Sequence, residues 1–267
     1  MFMDNYKITI VTVCRNAEST IESTIKSVLD QTYSNIEFII IDGCSTDGTL
    51  DVIYKYKNRI DIIVSEPDKG IYDAMNKAIR LSTGEWINFM NSGDTFYDND
   101  VISKVFRNRN YKGTGVIYGN VKHICDWGEY ELIPSELSMM AYRTPFCHQS
   151  SFINNNLMKK NEYDITYKFA ADYNFFHTCW KEGIKFDYLP CTISVFDSSI
   201  GSFSANNPKA VRAEEKRISS MNDLFYIKMI LRDSIAKFLF SLPGISKYLR
   251  KNRMSRNPLI LNFKCYE

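Results

Sequence analysis

The first hundred residues alternate short β-branched runs with segments of helical periodicity, and this alternation constrains the fold more than any other feature. Residues 7–14 (KITIVTVC) and 36–42 (IEFIIID) are rich in isoleucine, valine and threonine, as in strands buried on both faces of a sheet. Between them, residues 18–31 carry apolar side chains at helical spacing. Strand, helix, strand at this density predicts βαβ units and a parallel sheet with right-handed crossovers.

The pattern continues with two more strands, at 61–66 and 85–91, and a helix at 70–82 that has one apolar stripe. The second half is less regular. In it we predict strands at 115–123, 150–153, 185–190 and 193–197, a helix at 170–182, an irregular segment at 124–147, a loop after 197 and helices from about Pro208 to the end. A mixed half after a parallel half indicates an α/β chain with a small antiparallel element.

Polar clusters follow three of the predicted strands. They are CRNAES at 14–19, DGCSTDGT at 42–49 and NSGD at 91–94. The carboxyl ends of parallel strands lie at one edge of a sheet, and ligands of such sheets bind beyond that edge. The clusters therefore predict a binding site there.

Composition narrows the function classes. The formal net charge is +2 over 267 residues, which gives no general argument for nucleic acid as a partner. The seven cysteines include no CxxC pair, which argues against a disulfide framework and a structural zinc site. The N-terminus lacks the pattern of a signal peptide, and no segment has the ~20 apolar residues of a membrane span. We expect a cytoplasmic protein.

Several acidic residues are candidates for chemistry, each with a structural alternative. Asp42 follows a buried strand and suits a base N–H or a ribose hydroxyl, but Asp-Gly is also ordinary turn chemistry. Asp94 offers an oxygen ligand for Mg²⁺ or Mn²⁺ on a diphosphate, or it caps a turn. Asp172 near a helix start suits a general base, or it caps the helix.

Two basic candidates complete the set. Lys69 lies directly before a helix, where its ammonium and the helix N-terminus could face an anion, although a lone lysine is usually a solvated surface charge. His148, one of three histidines, lies in the half expected to meet the acceptor or the metal. A lone histidine in an apolar setting is more often a core residue than a metal ligand.

The string from ITIVTVCRNAEST to IDGCSTDGT, followed by EPDKGIYDAMNKAI and STGEWINFMNSGD, closely resembles the family 2 glycosyltransferases of the GT-A fold. The resemblance continues through FCHQSSF, AADYNFF and IGSFS and covers roughly residues 6–205. Its nearest likeness is to bacterial enzymes that build O-antigen, capsule and colanic-acid-type exopolysaccharides. It implies a Rossmann-like, mostly parallel sheet flanked by helices.

The resemblance implies a donor site in residues 1–98 and an acceptor half in residues 99–205, followed by a helical basic tail at 206–267. The donor-site residues that it implies all lie in the first half of the chain. Thr12, Cys14 and Asn16 would line the nucleotide pocket, Asp42 would contact the base, and Lys69 would lie near the phosphates.

The reacting groups are implied in the same way. Asp94 is similar to the last aspartate of the metal-binding DxD motif, Asp172 matches the general base, and His148 matches a recurrent histidine that we assign provisionally to the metal. The chain departs from the pattern at Asn91, which replaces the first acid. An asparagine oxygen still suits a hard cation that keeps several waters, so we expect activity with Mn²⁺ or Mg²⁺.

The implied reaction is inverting transfer of one sugar from a nucleotide sugar, with UDP expected, to an acceptor hydroxyl, with a lipid-linked oligosaccharide expected. No Q-x-x-R-W motif of processive members is present. Three alternatives remain. A sugar nucleotidyltransferase is disfavoured because CRNAEST lacks the glycine-rich loop of that class. The others are a membrane-surface scaffold and an inactive nucleotide-sugar-binding subunit, the latter suggested by Asn91.

The tail carries nine basic residues against one acid between Lys228 and Lys264. Apolar residues are interleaved with them, as in helices that lie in an anionic membrane interface. Residues 227–256 therefore either contact the inner face of the plasma membrane or pack on the catalytic domain with a solvated basic face. The sequence leaves both interpretations open.

Overall fold

One sheet with helices on both faces forms the body of the computed structural model, which describes residues 6–198, 207–219, 221–241, 254 and 257–266. The strands are β1 (Ile8–Cys14), β2 (Ile36–Asp42), β3 (Ile62–Ser65), β4 (Trp86–Phe89), β5 (Thr95–Phe96), β6 (Thr114–Cys125), β7 (Gly128–Leu132), β8 (Ser151–Asn154), β9 (Lys185–Asp197) and β10 (Ile260–Cys265). The helices are α1 (Ile21–Leu29), α2 (Thr49–Tyr54), α3 (Ile71–Leu81), α4 (Val101–Phe106), α5 (Asn155–Lys160), α6 (Ala171–Lys181), α7 (Pro208–Ser219) and α8 (Asp223–Ser241).

The predicted parallel sheet is confirmed, and its strands lie in the order β3-β2-β1-β4. All seven residues of β1 are buried, because helices cover both faces. Side chains alternate along β2: Ile39 and Ile41 join a core cluster with α3 and α6, whereas Phe38 and Ile40 join the opposite cluster with α1 and α4. This double burial explains why β1 and β2 are continuous apolar runs.

Beyond β4 the sheet turns antiparallel, through β8, β6, β7 and β10 in that order. The two strands predicted at 185–190 and 193–197 are one strand, β9, which runs parallel to β6 and pairs with β5 at its end. Its register shifts on either side of Asn120. A side chain at Gly119 would lie 2.6 Å from the carbonyl oxygen of Cys191, so the glycine permits the close approach that carries the strand past Pro190.

Two predictions are corrected here. Residues 124–147 are not irregular throughout, because β7 forms a hairpin with the end of β6. The tail is helical at α7 and α8, but residues 260–265 form β10, which covers the edge of β7. Strand β7 has unpaired backbone groups at its edge, and these pair with β10 from a distant part of the chain. The local periodicity of residues 260–265 does not reveal that partner. The predicted loop at 199–206 and the tail from 242 to 253 lie outside the described residues.

Candidate active site

The predicted polar clusters meet at the carboxyl edge of the parallel half. Cys14, the last residue of β1, is paired in register with Asp42, the last residue of β2. The loop after β4 is tied to the same edge, because Ser92 N–H donates to the carbonyl of Val13 at 3.3 Å. The arrangement confirms that one edge collects these segments.

Asp42 is fully buried and organises the turn that follows β2. Its carboxylate accepts hydrogen bonds from Ser45 N–H at 3.0 Å, from the Ser45 hydroxyl and from Ser65 Oγ at 2.7 Å. The Cys14 thiol also points at it, and burial followed by the Asp42 charge raises the pKa of Cys14 well above its ordinary value. Cys14 is therefore a neutral thiol, and the turn role of Asp42 is evident from its contacts.

Thr12 and Asn16 hold the neighbouring loops. The Thr12 hydroxyl donates to the Met90 carbonyl at 2.8 Å and is wholly buried. Thr12 therefore contributes to the carboxyl edge by holding the backbone at Met90. Asn16 adopts a left-handed φ of 50°, and its side-chain oxygen accepts from Thr46 N–H at 2.8 Å. The Thr12 bond connects β1 with the segment after β4, and the Asn16 bond connects the loop after β1 with the turn after β2.

The segment before α3 lies beside that turn. Asp68 accepts from Gly70 N–H at 2.9 Å, and its other oxygen lies 2.3 Å from the place that a side chain on Gly43 would occupy. Lys69 is exposed, and its backbone N–H donates to Asp73 at 2.9 Å. The lysine is therefore presented to solvent at the N-terminus of α3.

The NSGD segment is a tight turn that α1 holds in place. Asp94 N–H donates to the Asn91 carbonyl at 3.0 Å, and Gly93 has a φ of 97°. The Thr24 hydroxyl on α1 accepts from Gly93 N–H at 3.0 Å and donates to the Asp94 carbonyl at 2.8 Å. The backbone of the turn is therefore set before any ligand arrives.

Asp94 is 6% exposed. Gln149 Nε2 donates to its Oδ2 at 2.8 Å. Burial, opposed by the Gln149 bond and assisted by the charge of Asp197 at the end of β9, raises the pKa of Asp94 to about 7. A buried carboxyl with so high a pKa gains from a cation beside it.

The residues of this turn fit a hard divalent cation. Asn91 Oδ1 is buried and has no hydrogen-bond partner, which is uncommon for a buried polar atom. It adds a neutral oxygen to the Asp94 carboxylate, and Mg²⁺ and Mn²⁺ prefer oxygen ligands. Among the described residues, no group of three or more His, Cys, Asp or Glu side chains forms a metal cluster.

Asp172 is the second residue of α6 and is not the helix cap that the sequence allowed. The cap position is Ala170, which has no side-chain acceptor. Instead, the Asp172 carboxylate accepts from the Tyr72 hydroxyl at 2.8 Å. Burial, with the Asp172 charge next, raises the pKa of Tyr72 well above its ordinary value, so the phenol remains a donor at neutral pH.

The segment Cys147–Gln149 interacts with both aspartates. Burial and the charges of Asp94 and Asp172 raise the pKa of the Cys147 thiol to about 12, so both carboxylates act on one side chain. Cys147 Sγ lies 2.9 Å from Gln149 Oε1. Asp94 contacts this segment through the Gln149 hydrogen bond, and the charge of Asp172 acts on Cys147.

His148 is packed in the core. Its Nε2 lies 2.8 Å from the Tyr163 hydroxyl, and its ring stacks on Phe89 at 5.3 Å. Burial lowers the pKa of His148, so it is neutral at pH 7. These contacts are those of the core histidine that the sequence offered as the alternative.

Sequence reasoning missed Tyr72 and Gln149. Tyr72 is a polar aromatic residue inside the apolar stripe of α3, and Gln149 follows His148 directly. Tyr72 stands out as a polar residue within an apolar stripe, whereas Gln149 lies in the polar run HQSS and gives no such signal. Their partners lie 100 and 55 positions away, so no local pattern identifies them.

Comparisons with known proteins identify similar glycosyltransferases. A glycosyltransferase of Mycobacterium bovis named for PGL/p-HBAD biosynthesis is 28% identical over 173 residues, which are 62% of this chain and 66% of that protein, just under two thirds of its length. A Bacillus subtilis protein, TuaG, provisionally named a teichuronic acid biosynthesis glycosyltransferase, is 39% identical over 34% of this chain and 38% of its own.

Two solved structures share the fold. The mannosyltransferase PcManGT of Pyrobaculum calidifontis, in complex with GDP-Man and Mn²⁺, has a TM-score of 0.61 at 14% identity and covers 96% of this chain and 90% of its own. TarS of S. aureus, in complex with UDP, has a TM-score of 0.59 at 16% identity and covers 89% and 72%. The sequence pattern described as Glycosyl transferase family 2 matches residues 9–176. The chain therefore belongs to glycosyltransferase family 2.

Proposed function

We propose that this protein transfers one sugar from a nucleotide sugar to an acceptor hydroxyl with inversion at the anomeric carbon. The observation that carries the proposal is a pair of carboxylates held by side-chain hydrogen bonds, Asp94 by Gln149 and Asp172 by Tyr72 at the start of α3. A buried carboxylate that suits a metal and a half-buried carboxylate that suits a general base are the two groups that such a transfer requires.

Asp172 accepts the proton of the acceptor hydroxyl, and the Tyr72 hydrogen bond orients its carboxylate. As that proton leaves, the acceptor oxygen bonds to the anomeric carbon and the bond to the diphosphate oxygen breaks, its electron pair departing with the diphosphate. The carbon passes through an oxocarbenium-like state, as in glycoside hydrolysis. Attack on the face opposite the leaving group gives inversion without a covalent intermediate.

The leaving group is received at the Asn91–Asp94 turn. Asp94 and Asn91 would hold a divalent cation, which when bound neutralises negative charge on the departing diphosphate. Lys69 adds a positive charge from the N-terminus of α3. Thr12, Cys14, Asn16 and Asp42 shape the wall on which the nucleotide base and ribose rest.

We further propose a UDP-sugar as donor and a lipid-linked glycan of a bacterial surface polysaccharide as acceptor. The names of the relatives and the UDP bound to TarS support this choice. In the described part of the chain, no helix is long and apolar enough to cross a bilayer. In this proposal, the acceptor is met at the membrane surface, with contact through α8.

The outward face of α8 supports membrane contact. Leu224, Ile227, Leu231 and Ile235 share one stripe at helical spacing and are between 50% and 66% exposed. Lys228 and Arg232, both exposed, flank that stripe. Apolar residues bordered by basic ones suit a headgroup interface with anionic lipids.

The test is nucleotide release from UDP-, dTDP- and GDP-sugars, with and without Mn²⁺. The wild type should release one nucleotide in the presence of metal, and Asp94→Asn should remove that release. Asp98→Asn removes a surface ion pair with Lys104 but keeps an oxygen that can accept from Asp100 N–H. It is the matched control and should retain the release. Nucleotide binding without release from any donor would overturn the transferase and favour an inactive binding subunit.

A further inference from the structure

The carboxylate of Glu214 on α7 binds three consecutive backbone amides in front of α6. Its Oε1 accepts from Lys168 N–H, and its Oε2 accepts from Phe169 N–H and Ala170 N–H, each at 2.9 Å. The two ends of this contact lie 44 to 46 positions apart in the chain. A single side chain therefore sets the path of the backbone that enters α6.

That backbone leads directly to Asp172. Helix α6 begins at Ala171, and the preceding Ala170 has no side chain that could cap it. The first amides of a helix lack partners within the helix, and a negative charge near them is favourable. Glu214 supplies that charge from a separate helix, two residues before the aspartate.

The helix that carries Glu214 is itself held in place. Ile218 is buried in the core cluster that also contains residues of α6, and the Arg217 guanidinium lies 3.9 Å from the centre of the Tyr167 ring. A side chain on a packed helix keeps a partner in position better than one on a loop. Glu214 is therefore a rigid anchor.

We propose that Glu214 is a positioning residue for the general base: it holds residues 168–170 so that Asp172 faces the acceptor hydroxyl in the geometry of proton transfer. The proposal rests on the proposed function of Asp172. Tyr72 aims the carboxylate through its side chain, and Glu214 fixes the start of the helix through its backbone. The two contacts constrain the aspartate at its carboxylate and at the backbone before it.

The test compares Glu214→Gln with Asp172→Asn and with Glu162→Gln in the full chain. Glutamine keeps the shape of the side chain but turns an N–H₂ group toward amide donors. We expect kcat for transfer to fall roughly 10- to 100-fold, the effect of a small misplacement of a reacting group. Donor affinity, measured by titration calorimetry with UDP-sugar, should change by less than about twofold because the metal turn is untouched.

Glu162→Gln is the matched control. It removes a carboxylate from the same region, where Glu162 forms a surface ion pair with Arg80, and it should leave kcat within about twofold of wild type. Amide hydrogen exchange on the wild type adds a readout that requires no variant to fold. Protected amides at residues 168–170 support the anchor, and free exchange there overturns it.

The outcomes separate the two proposals. Loss of transfer in Asp172→Asn with a wild-type kcat in Glu214→Gln overturns the positioning role alone. A parallel fall of kcat and donor affinity in Glu214→Gln also overturns it, because general structural damage would produce both. Wild-type transfer by Asp172→Asn overturns the base assignment and the positioning role together.

Discussion

The hydroxyl of Tyr72 donates a 2.8 Å hydrogen bond to Oδ1 of Asp172, across 100 positions of sequence. Tyr72 lies in the first turn of α3 and Asp172 in the first turn of α6, so the bond joins two helices that cover the same face of the sheet. It engages one of the two oxygens of the carboxylate. This single contact connects the parallel half of the chain with the proposed base.

Removing that contact should slow transfer without affecting donor binding. We expect Tyr72→Phe to lower kcat about tenfold, because a hydrogen bond to a charged group contributes on the order of 1.5–3 kcal/mol, part of which acts in the transition state. Steady-state kinetics at saturating donor measures the effect. Tyr163→Phe, which loses a bond to His148 instead, is the comparison, and equal losses in both variants would contradict a role specific to Asp172.

Restoring the missing acid should strengthen metal binding. Asn91→Asp places a carboxylate where an unpartnered oxygen is now buried, and we expect Mn²⁺ to bind about tenfold more tightly in the presence of UDP. Electron paramagnetic resonance of free Mn²⁺ provides the measurement. Without metal, two neighbouring buried carboxylates should lower the free energy of unfolding by more than about 1 kcal/mol. Unchanged Mn²⁺ affinity would show that Asn91 does not face the cation.

Glu37, near the start of β2 and at the sheet edge opposite the site, should make the free energy of unfolding depend on pH. Burial would raise its pKa, but hydrogen bonds from Lys7, Thr83 and Thr9 outweigh burial and lower the pKa to about 2. A depressed carboxyl pKa stabilises the fold above the unfolded value of 4.5, and that stabilisation disappears as the pH falls toward 2. Its size is about 3 kcal/mol.

The measurement is urea unfolding of wild type and Glu37→Gln between pH 7 and pH 2.5. The stability gap between the two proteins should be widest at pH 7 and should narrow as the pH falls. Glu66→Gln, which breaks an exposed ion pair with Lys77, should show a small gap at every pH. A constant gap for Glu37→Gln would contradict the assignment.

The outward stripe of α8 should determine membrane binding. Replacing Leu224, Ile227, Leu231 and Ile235 with serine removes apolar area that would enter the interface, and we expect co-sedimentation with phosphatidylglycerol vesicles to fall at least about tenfold. Binding of the wild type should also weaken with salt, because Lys228 and Arg232 act electrostatically. Ile165→Ser, at an exposed apolar position outside α8, is the control. Equal binding by all three proteins would favour packing of the tail in place of membrane contact.

The sequence by itself determined the parallel half of the fold and the edge at which the site lies. In β1 and β2, burial on both faces produces continuous apolar runs, and in α3 burial on one face produces a helical stripe. These patterns are local because each residue's environment follows from its position in its own element. The clusters at Asp42 and Asp94 could therefore be assigned to the carboxyl edge because each directly follows a predicted parallel strand in the sequence.

Only the tertiary structure decided which side chains meet. Gln149 reaches Asp94, Tyr72 reaches Asp172, and Glu214 reaches the amides before α6, and none of these pairs is close in sequence. The strand at 260–265 likewise exists because β7 offers it an edge. A local pattern records whether a residue is buried, but a hydrogen-bond partner from another element is chosen by how the elements pack.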